Sequence, residues 1–189
     1  MSALSEAPLV EWVDRAGWRA WLEANHTGSG GAWLVLQRRE ARAGIYEAAV
    51  EEALCFGWVD STAGRVDEER SKLYFAPRKP NSGWAATNKA RLERLIADGR
   101  MAPAGLAAIE RAKANGSWTI LDSVERLEVP PDLATALAAR PSTRATFDAW
   151  PPSIRKQSLA SIAQAKRPET RQDRIGKIAD AAERNVRPF

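Results

Sequence analysis

Two cations stand between two prolines in the segment YFAPRKPNSGW, residues 74–84, at the end of an aromatic run. Arg78 and Lys79 are followed closely by what reads as the start of a helix. Cationic side chains beside free backbone N–H groups at a helix start are suitable donors for a phosphate or a carboxylate. The segment therefore predicts an anion site, although it has no Walker-type glycine pattern. A plain strand-to-helix joint, with Asn81 or Ser82 as the helix cap, is the alternative interpretation.

Two further polar residues interrupt apolar helical stripes. Asn88 falls in the middle of the apolar arc of the helix predicted from Trp84, so its amide must meet backbone, another side chain or a ligand. Arg171 falls on the apolar arc of the last helix, next to Thr170. Its guanidinium requires either a salt bridge, for example to Asp60, or a bound anion.

Asp60 is the candidate acid or base of this sequence. It comes immediately after Trp58 and Val59 at the start of a predicted strand, and an acid beside aromatic residues is either paired or functional. Cys55 is a poor candidate nucleophile, because the neighbouring Glu51 and Glu52 would raise the pKa of its thiol. These residues do not identify a reaction.

Composition sets further limits. The chain has 189 residues, 44% hydrophobic and 28% charged, which is typical of a globular protein. A single cysteine excludes an internal disulfide framework, and one histidine, His26, argues against a histidine-based metal site or a catalytic triad. We expect no metal and no cofactor. The eight tryptophans indicate either extensive packing or a surface that stacks a flat ligand.

Location and partners are predicted from the two ends of the sequence. The N-terminal residues do not resemble a signal peptide and no apolar run is long enough to span a bilayer, so we expect a cytoplasmic protein that is not inserted in a membrane. Residues 140–189 contain 11 Lys and Arg against 5 Asp and Glu. This basic segment is either a nucleic-acid or acidic-partner surface or a solvated helical surface.

The order of elements predicts an α+β fold. A helix from about Asp14 to Asn25 precedes a buried strand, AWLVLQRR, and a helix that ends at Gly57. Two strand-like segments follow, the first folded near Ala63-Gly64, and everything after Ser82 reads as helix or linker. We expect a small antiparallel β-meander packed with helices in residues 1–128. A basic, all-helical subdomain packed on it is expected in residues 129–189.

The ordered segments ALCFGWVD, FAPRKPNSGWAATN, LIADGRMAPAG, AKANGSW and AKRPETRQDRI resemble the YdeI/OmpD-associated family, also labelled bacteriocin-protection proteins. The resemblance runs from about residue 12 to about residue 182. It implies no established biochemical activity, and it implies a loose association with envelope stress and resistance to cationic antimicrobial agents. Some descriptions place the family in the periplasm, and this sequence departs from that by lacking an export signal. The motif residues here are Cys55, Phe56, Gly57, Trp58, Val59, Asp60, Pro77, Arg78, Ser82, Trp84, Asn88, Thr170 and Arg171.

Three functions compete at this point. The first is a cytoplasmic protein that binds a small anionic or nucleotide-like ligand. The second is a nucleic-acid or acidic-partner module that uses the basic C-terminal helices, and the third is a stress-related scaffold without a ligand. The sequence leaves the oligomeric state open. For the first function, the ligand-binding residues would be Trp58, Asp60, Arg78, Ser82, Trp84, Asn88, Thr170 and Arg171.

Overall fold

The computed structural model of the chain describes residues 6–37 and 44–188, which form two compact units. The described residues up to Ser82, together with Thr87–Gly116, make the first unit. Gly83–Ala86 and the described residues from Ser117 onward make the second. Compact units are not necessarily independent domains, so the boundary predicted after residue 128 stays a prediction.

The described elements alternate between strand and helix up to residue 65, a further strand ends at residue 77, and the elements after it are helical. The strands are β1 (Leu9–Glu11), β2 (Ala32–Gln37), β3 (Trp58–Arg65) and β4 (Arg70–Pro77). The first four helices are α1 (Arg15–Asn25), α2 (Ile45–Cys55), α3 (Ala86–Ala97) and α4 (Pro103–Ala114). The second unit contains α5 (Asp122–Glu125), α6 (Pro131–Ala138), α7 (Thr143–Ala149), α8 (Pro152–Ala163) and α9 (Pro168–Glu183). The α+β class is therefore confirmed.

The sheet differs from the predicted antiparallel meander. Its described strands lie in the order β1-β2-β4-β3, with β1 parallel to β2 and the other pairs antiparallel. The parallel pair arises because α1 connects β1 to β2, and a crossover helix returns the chain in the same direction. The hairpin between β3 and β4 turns after Arg65 rather than near Ala63-Gly64, where the register is only shifted by an irregularity. Arg38 and Arg39, at the end of the first predicted strand, lie outside the described residues.

Helix α1 forms as the sequence predicts. The Asp14 side chain accepts a hydrogen bond of 2.7 Å from the Gly17 backbone N–H and caps the helix. One face buries Trp18 and Leu22, and the Trp18 ring lies 5.3 Å from the ring of Phe75 in β4. The Trp18 indole N–H donates to the Ala49 carbonyl in α2 at 3.1 Å. This tryptophan therefore has a packing role, joining α1 to both the sheet and α2.

A fully buried carboxylate organises the charges of the first unit. Glu52 of α2 accepts from Arg15 Nε at 2.5 Å, from Arg19 Nη1 at 2.9 Å and from Arg100, which follows α3. Burial alone would lower the pKa of Arg15, but its hydrogen bonds to Glu52 and Glu51 raise it. Because a buried charge needs compensation, these contacts hold α1, α2 and the Arg100 segment together.

The second unit has a helical core of its own. Three of its helices begin at prolines, Pro131, Pro152 and Pro168, at a position where a missing backbone N–H is tolerated. Within the described residues, no helix is both long and apolar enough to cross a bilayer. The buried residues of this core include Val124, Leu133, Leu137, Phe147, Trp150, Leu159, Ile162, Ile175, Ile178, Ala179 and Ala182.

Candidate functional site

A cavity of about 250 Å³ lies in the first unit where the C-terminal end of α1, the junction between α2 and β3, the end of β4 and one face of α4 meet. It contains two of the residues predicted to bind a ligand, Trp58 and Arg78. The full lining is His26, Thr27, Phe56, Gly57, Trp58, Pro77, Arg78, Ala104, Ala107, Ala108 and Arg111.

Small residues allow the chain segments to meet at this cavity. Gly57 has φ of +73°, a conformation that side chains disfavour. A Cβ atom at this position would lie 3.0 Å from the Ala108 Cβ and 3.2 Å from the Ala104 carbonyl oxygen. The Gly57 carbonyl accepts a hydrogen bond of 3.0 Å from the backbone N–H of Arg78. The glycine thus fixes the backbone of Arg78 against the start of β3 and against α4.

Arg78 is the cation most affected by burial. Its side chain is largely withdrawn from water, and this burial lowers the pKa of Arg78 to about 10, while the negative charge of Asp60 acts in the opposite direction. The guanidinium is still protonated at neutral pH. Arg78 therefore brings a positive charge to the wall of the cavity.

The side chains of His26 and Trp58 are held by backbone carbonyls at the C-terminal end of α1. His26 Nδ1 donates to the Leu22 carbonyl at 2.8 Å, which leaves Nε2 as the ring's remaining polar atom. The Trp58 indole N–H donates to the His26 carbonyl at 3.4 Å, and the indole packs edge-on against Trp21 at 5.9 Å. Trp58 is only 1% exposed, so it forms a wall of the cavity and positions His26 rather than stacking on a ligand.

Arg111 brings a second guanidinium to the cavity from α4. It follows Ala104, Ala107 and Ala108 at spacings that place all four on one helical face, and all four line the cavity. None of the described lining residues is acidic. The lining therefore carries two permanent positive charges, and histidine and threonine are its other ionisable or hydroxyl-bearing side chains.

Asp60 and Asn88 belong to hydrogen-bond networks outside this lining. Tyr46 Oη donates to Asp60 Oδ2 at 2.9 Å, and burial together with this carboxylate raises the pKa of Tyr46. Asn88 Oδ1 accepts from Arg91 Nη1 at 2.8 Å, and Arg91 pairs with Glu47 of α2 at 2.6 Å. Asn88 therefore meets another side chain, one of the partners expected for its amide. Asp60 does not line the cavity, but its negative charge acts on Arg78 and opposes the lowering of the Arg78 pKa.

Ser82 and Trp84 lie on either side of the division between the units. The backbone N–H of Ser82 donates to the Lys79 carbonyl at 3.0 Å in a turn. The predicted helix begins at Ala86, four residues after Ser82, so the proposed capping by Asn81 or Ser82 is wrong. In the second unit, the Ala86 N–H donates instead to a Glu125 oxygen at 3.1 Å. Trp84 is 1% exposed and its ring lies 5.3 Å from that of Trp118, a packing arrangement.

Arg171 and Thr170 lie on α9 in the second unit. Arg171 Nε and Nη2 bind the two oxygens of Asp132 at 2.6 and 3.0 Å, and Nη1 donates to the Ile162 carbonyl at 3.2 Å. The salt bridge proposed as one interpretation of Arg171 is present, with Asp132 rather than Asp60 as the acid. These contacts connect α9 to α6 and α8.

A second cavity, of about 270 Å³, lies beside Arg171. Its lining is mainly apolar and includes Glu128, so an acid and a base face the same space. Because the guanidinium is already engaged by Asp132, this cavity offers an anion less than the first one does. Its described lining is Ser123, Val124, Glu128, Val129, Pro130, Pro131, Leu159, Ile162, Ala163 and Arg171.

Sequence reasoning missed three polar residues of the first cavity. From the sequence, His26 was considered only as a single histidine without the partners of a metal site, and Thr27 gave no signal of a site. Arg111 had a detectable signal, since it follows three alanines at helical spacings and interrupts an otherwise small-residue face of α4. Within the described residues, no group of three or more His, Cys, Asp or Glu side chains is arranged to hold a metal ion.

Two family models match the chain. Residues 10–108 match a family described as a domain of unknown function (DUF8412), and residues 126–185 match the family described as bacteriocin-protection, YdeI or OmpD-associated. No curated protein and no solved structure matches the chain. The second match confirms the resemblance over the C-terminal part, including Thr170 and Arg171, whereas the motif residues 55–88 lie within the first match. Because that first match spans more than half of the 189 residues, the chain belongs to the DUF8412 family, and its residues 126–185 carry the segment of the YdeI or OmpD-associated family.

Proposed function

We propose that this protein binds a small anionic ligand in the first cavity, with Arg78 and Arg111 as its two cations. The observation that supports this most directly is the composition of the lining. Two arginines and one histidine face a space whose described lining includes no acid. In a partly enclosed site, interactions between charges are stronger than in water, so such a lining selects negative charge.

The two arginines supply different properties. Arg78 is largely buried, so its charge interacts with an anion in the cavity more strongly than it would in water. Arg111 lies on an exposed part of α4, where its guanidinium can meet a ligand entering from solvent. The site therefore combines a buried cation, Arg78, with a solvent-accessible one, Arg111.

The size of the cavity limits the size of the ligand that it can hold. A volume of about 250 Å³ lies below the range of about 300–1,000 Å³ that is usual for sites of drug-sized ligands. This favours a compact acid or phosphosugar over a complete nucleotide. We propose binding without a reaction, because Asp60, the candidate acid or base, is hydrogen-bonded to Tyr46 and does not line the cavity.

A thermal-shift screen of nucleotides, phosphosugars and carboxylates tests this function. A ligand at about ten times its Kd stabilises the folded protein by about 1.4 kcal/mol. For a chain of this size, that energy raises Tm by about 3–6 °C. The shift should disappear in Arg78→Met, which keeps the length of the side chain but removes its charge. Arg65→Met is the matched control, since Arg65 is exposed on β3 and lies outside the cavity lining.

The proposal fails if no compound stabilises the wild-type protein more than it stabilises Arg78→Met. Loss of the shift in both Arg78→Met and Arg65→Met would equally contradict it, because binding would then depend on overall charge. A screen without any stabilising compound would support the third interpretation, a scaffold without a ligand.

The nucleic-acid interpretation stays a prediction, and the second unit offers it little support. Several of its cations are neutralised locally: Arg140 pairs with Asp180 and Glu183, and Lys177 pairs with Asp173. The cytoplasmic location and the link to stress resistance also stay predictions. Cell fractionation and survival of a deletion strain under antimicrobial stress would test them.

A further inference from the structure

The segment AKANGSW contains an asparagine followed by a glycine, Asn115-Gly116, at the C-terminal end of α4. We propose that the Asn115 side chain clamps the loop of residues 79–82, which follows Arg78, and that deamidation of Asn115 is the modification that releases this loop. Neither the clamp nor its chemistry depends on an anion in the first cavity.

The clamp consists of hydrogen bonds from the end of α4 to the loop. Asn115 Nδ2 donates to the Pro80 carbonyl at 2.9 Å and to Asn81 Oδ1 at 3.3 Å. Within the loop, the Ser82 backbone N–H donates to the Lys79 carbonyl at 3.0 Å, so the loop has a turn of its own. Asn115 joins this turn to the helix across 35 positions of the chain. Because both of its partners are oxygen acceptors, the clamp requires a donor at residue 115.

The way in which α4 ends places a reactive pair of residues at the clamp. Asn115 is the C-cap of the helix, and Gly116 has φ of +78°, a left-handed conformation that glycine adopts easily. Both residues are exposed to solvent. Glycine has no side chain to hinder its own nitrogen, so this nitrogen attacks a preceding asparagine readily. The residues that end the helix are therefore also a pair prone to deamidation.

Deamidation replaces the donor of the clamp by a carboxylate. The Gly116 backbone nitrogen loses its proton and bonds to Asn115 Cγ, the Cγ–Nδ2 bond breaks, and Nδ2 leaves as ammonia. Water then opens the resulting succinimide ring at either carbonyl and gives aspartate or isoaspartate, with no oxidant or reductant. The new carboxylate has no N–H group, so it would face the oxygens of Pro80 and Asn81 as a further acceptor.

The folded structure restrains this reaction. The ψ angle of Asn115 is 6°, so the Gly116 nitrogen nearly eclipses the backbone nitrogen of Asn115 rather than its Cβ. Ring closure requires the Gly116 nitrogen to rotate towards the Asn115 side chain. This rotation breaks the bond of 3.4 Å from the Gly116 N–H to the Lys113 carbonyl and displaces Nδ2 from Pro80. The closed clamp is therefore protected, and it becomes reactive when it opens.

Peptide mapping by mass spectrometry measures the reaction. In alkaline buffer, Asn115 should deamidate at least about 10-fold more slowly in the folded full-length protein than in the same protein unfolded in guanidinium chloride, because two hydrogen bonds must break first. Equal rates in the folded and unfolded protein would overturn the clamp. Absence of the reaction at Asn115 in the unfolded protein would overturn the modification site.

Two aspartate variants separate the loss of the donor from the added charge. Asn115→Asp removes the donor, whereas Asn81→Asp adds the same charge at the other end of the 3.3 Å contact and keeps an acceptor for Nδ2. By hydrogen exchange followed with mass spectrometry, the backbone amides of residues 79–82 should exchange about 3- to 10-fold faster in Asn115→Asp than in the wild-type protein. In Asn81→Asp they should exchange no faster than in the wild-type protein.

The variants also define the results that contradict the clamp. Equal acceleration of exchange in Asn115→Asp and Asn81→Asp would overturn it, because the added charge alone would then open the loop. Unchanged exchange in Asn115→Asp would overturn it as well, since other contacts would then hold the loop closed.

Discussion

Replacing Glu52 by glutamine removes a negative charge from the interior of the first unit while it preserves the size and shape of the side chain. In the wild-type protein, this carboxylate is fully buried and accepts hydrogen bonds from Arg15, Arg19 and Arg100. Glutamine keeps one acceptor oxygen, but its amide N–H groups would face guanidinium donors. We expect Glu52→Gln to lower the free energy of unfolding substantially.

The magnitude follows from the contacts and their exposure. Three hydrogen bonds to a charged group, at about 1.5–3 kcal/mol each, set an upper range of about 4.5–9 kcal/mol. The arginine side chains are 30–37% exposed, so water compensates part of their loss. The expected loss is therefore about 3–5 kcal/mol, the range for removing one partner from a buried ion pair.

Urea unfolding followed by tryptophan fluorescence measures this change. Glu23→Gln is the matched control, because Glu23 is exposed and contacts Arg19 one helical turn away at 3.1 Å. That pair should contribute only about 0.3–0.5 kcal/mol. A loss below about 1 kcal/mol in Glu52→Gln, or equal losses in the two variants, would refute the view that the Glu52 carboxylate holds these elements together.

Two other variants test separate features of the structure. Gly57→Ala should destabilise the protein by about 1–3 kcal/mol more than Gly99→Ala does in thermal or urea unfolding. The reason is that a Cβ atom at residue 57 would meet Ala108, whereas a Cβ atom at residue 99 has nothing within 4 Å. Equal losses would show that only the left-handed backbone conformation, which both glycines share, determines the effect. Asp132→Asn should make stability less sensitive to acid, because the hydrogen bond from Arg171 lowers the pKa of Asp132 in the folded protein. At acidic pH the unfolded state therefore binds more protons than the folded state does, so this stabilisation is present above about pH 4 and is lost as the pH falls through the lowered pKa. Unfolding measured between pH 6 and 2 would contradict this if the wild-type protein and Asp132→Asn lose stability in parallel.

The sequence predicted those elements that depend on local chemistry. Asp14 is followed by the apolar stripe of α1, and Gly57 follows α2 in the left-handed conformation expected at a helix end. The parallel strand β1 was not predicted, because three residues are too few to show alternation. The start of α3 was misplaced, because capping residues are also favoured in turns such as the one in which Ser82 donates to Lys79.

The candidate site was predicted only in part. Arg78 and Trp58 were identified from their unusual setting and line the cavity. Arg111 was missed, because its place in the cavity depends on how α4 packs against the other elements. The periodicity within one helix does not specify that packing. The requirement of Arg171 for an acid was predicted correctly, but the choice of Asp132 depends on the packing of α6 against α9.

The contacts of Glu52 also bear on how long the first unit stays folded. Its arginine partners lie 37, 33 and 48 positions away along the chain. Closing such long loops is entropically unfavourable, so we expect these bonds to form after apolar contacts have brought α1 and α2 together. Interactions that form after the folding transition state slow unfolding and leave the folding rate nearly unchanged. We therefore expect Glu52→Gln to raise the unfolding rate of the first unit more than it lowers the folding rate.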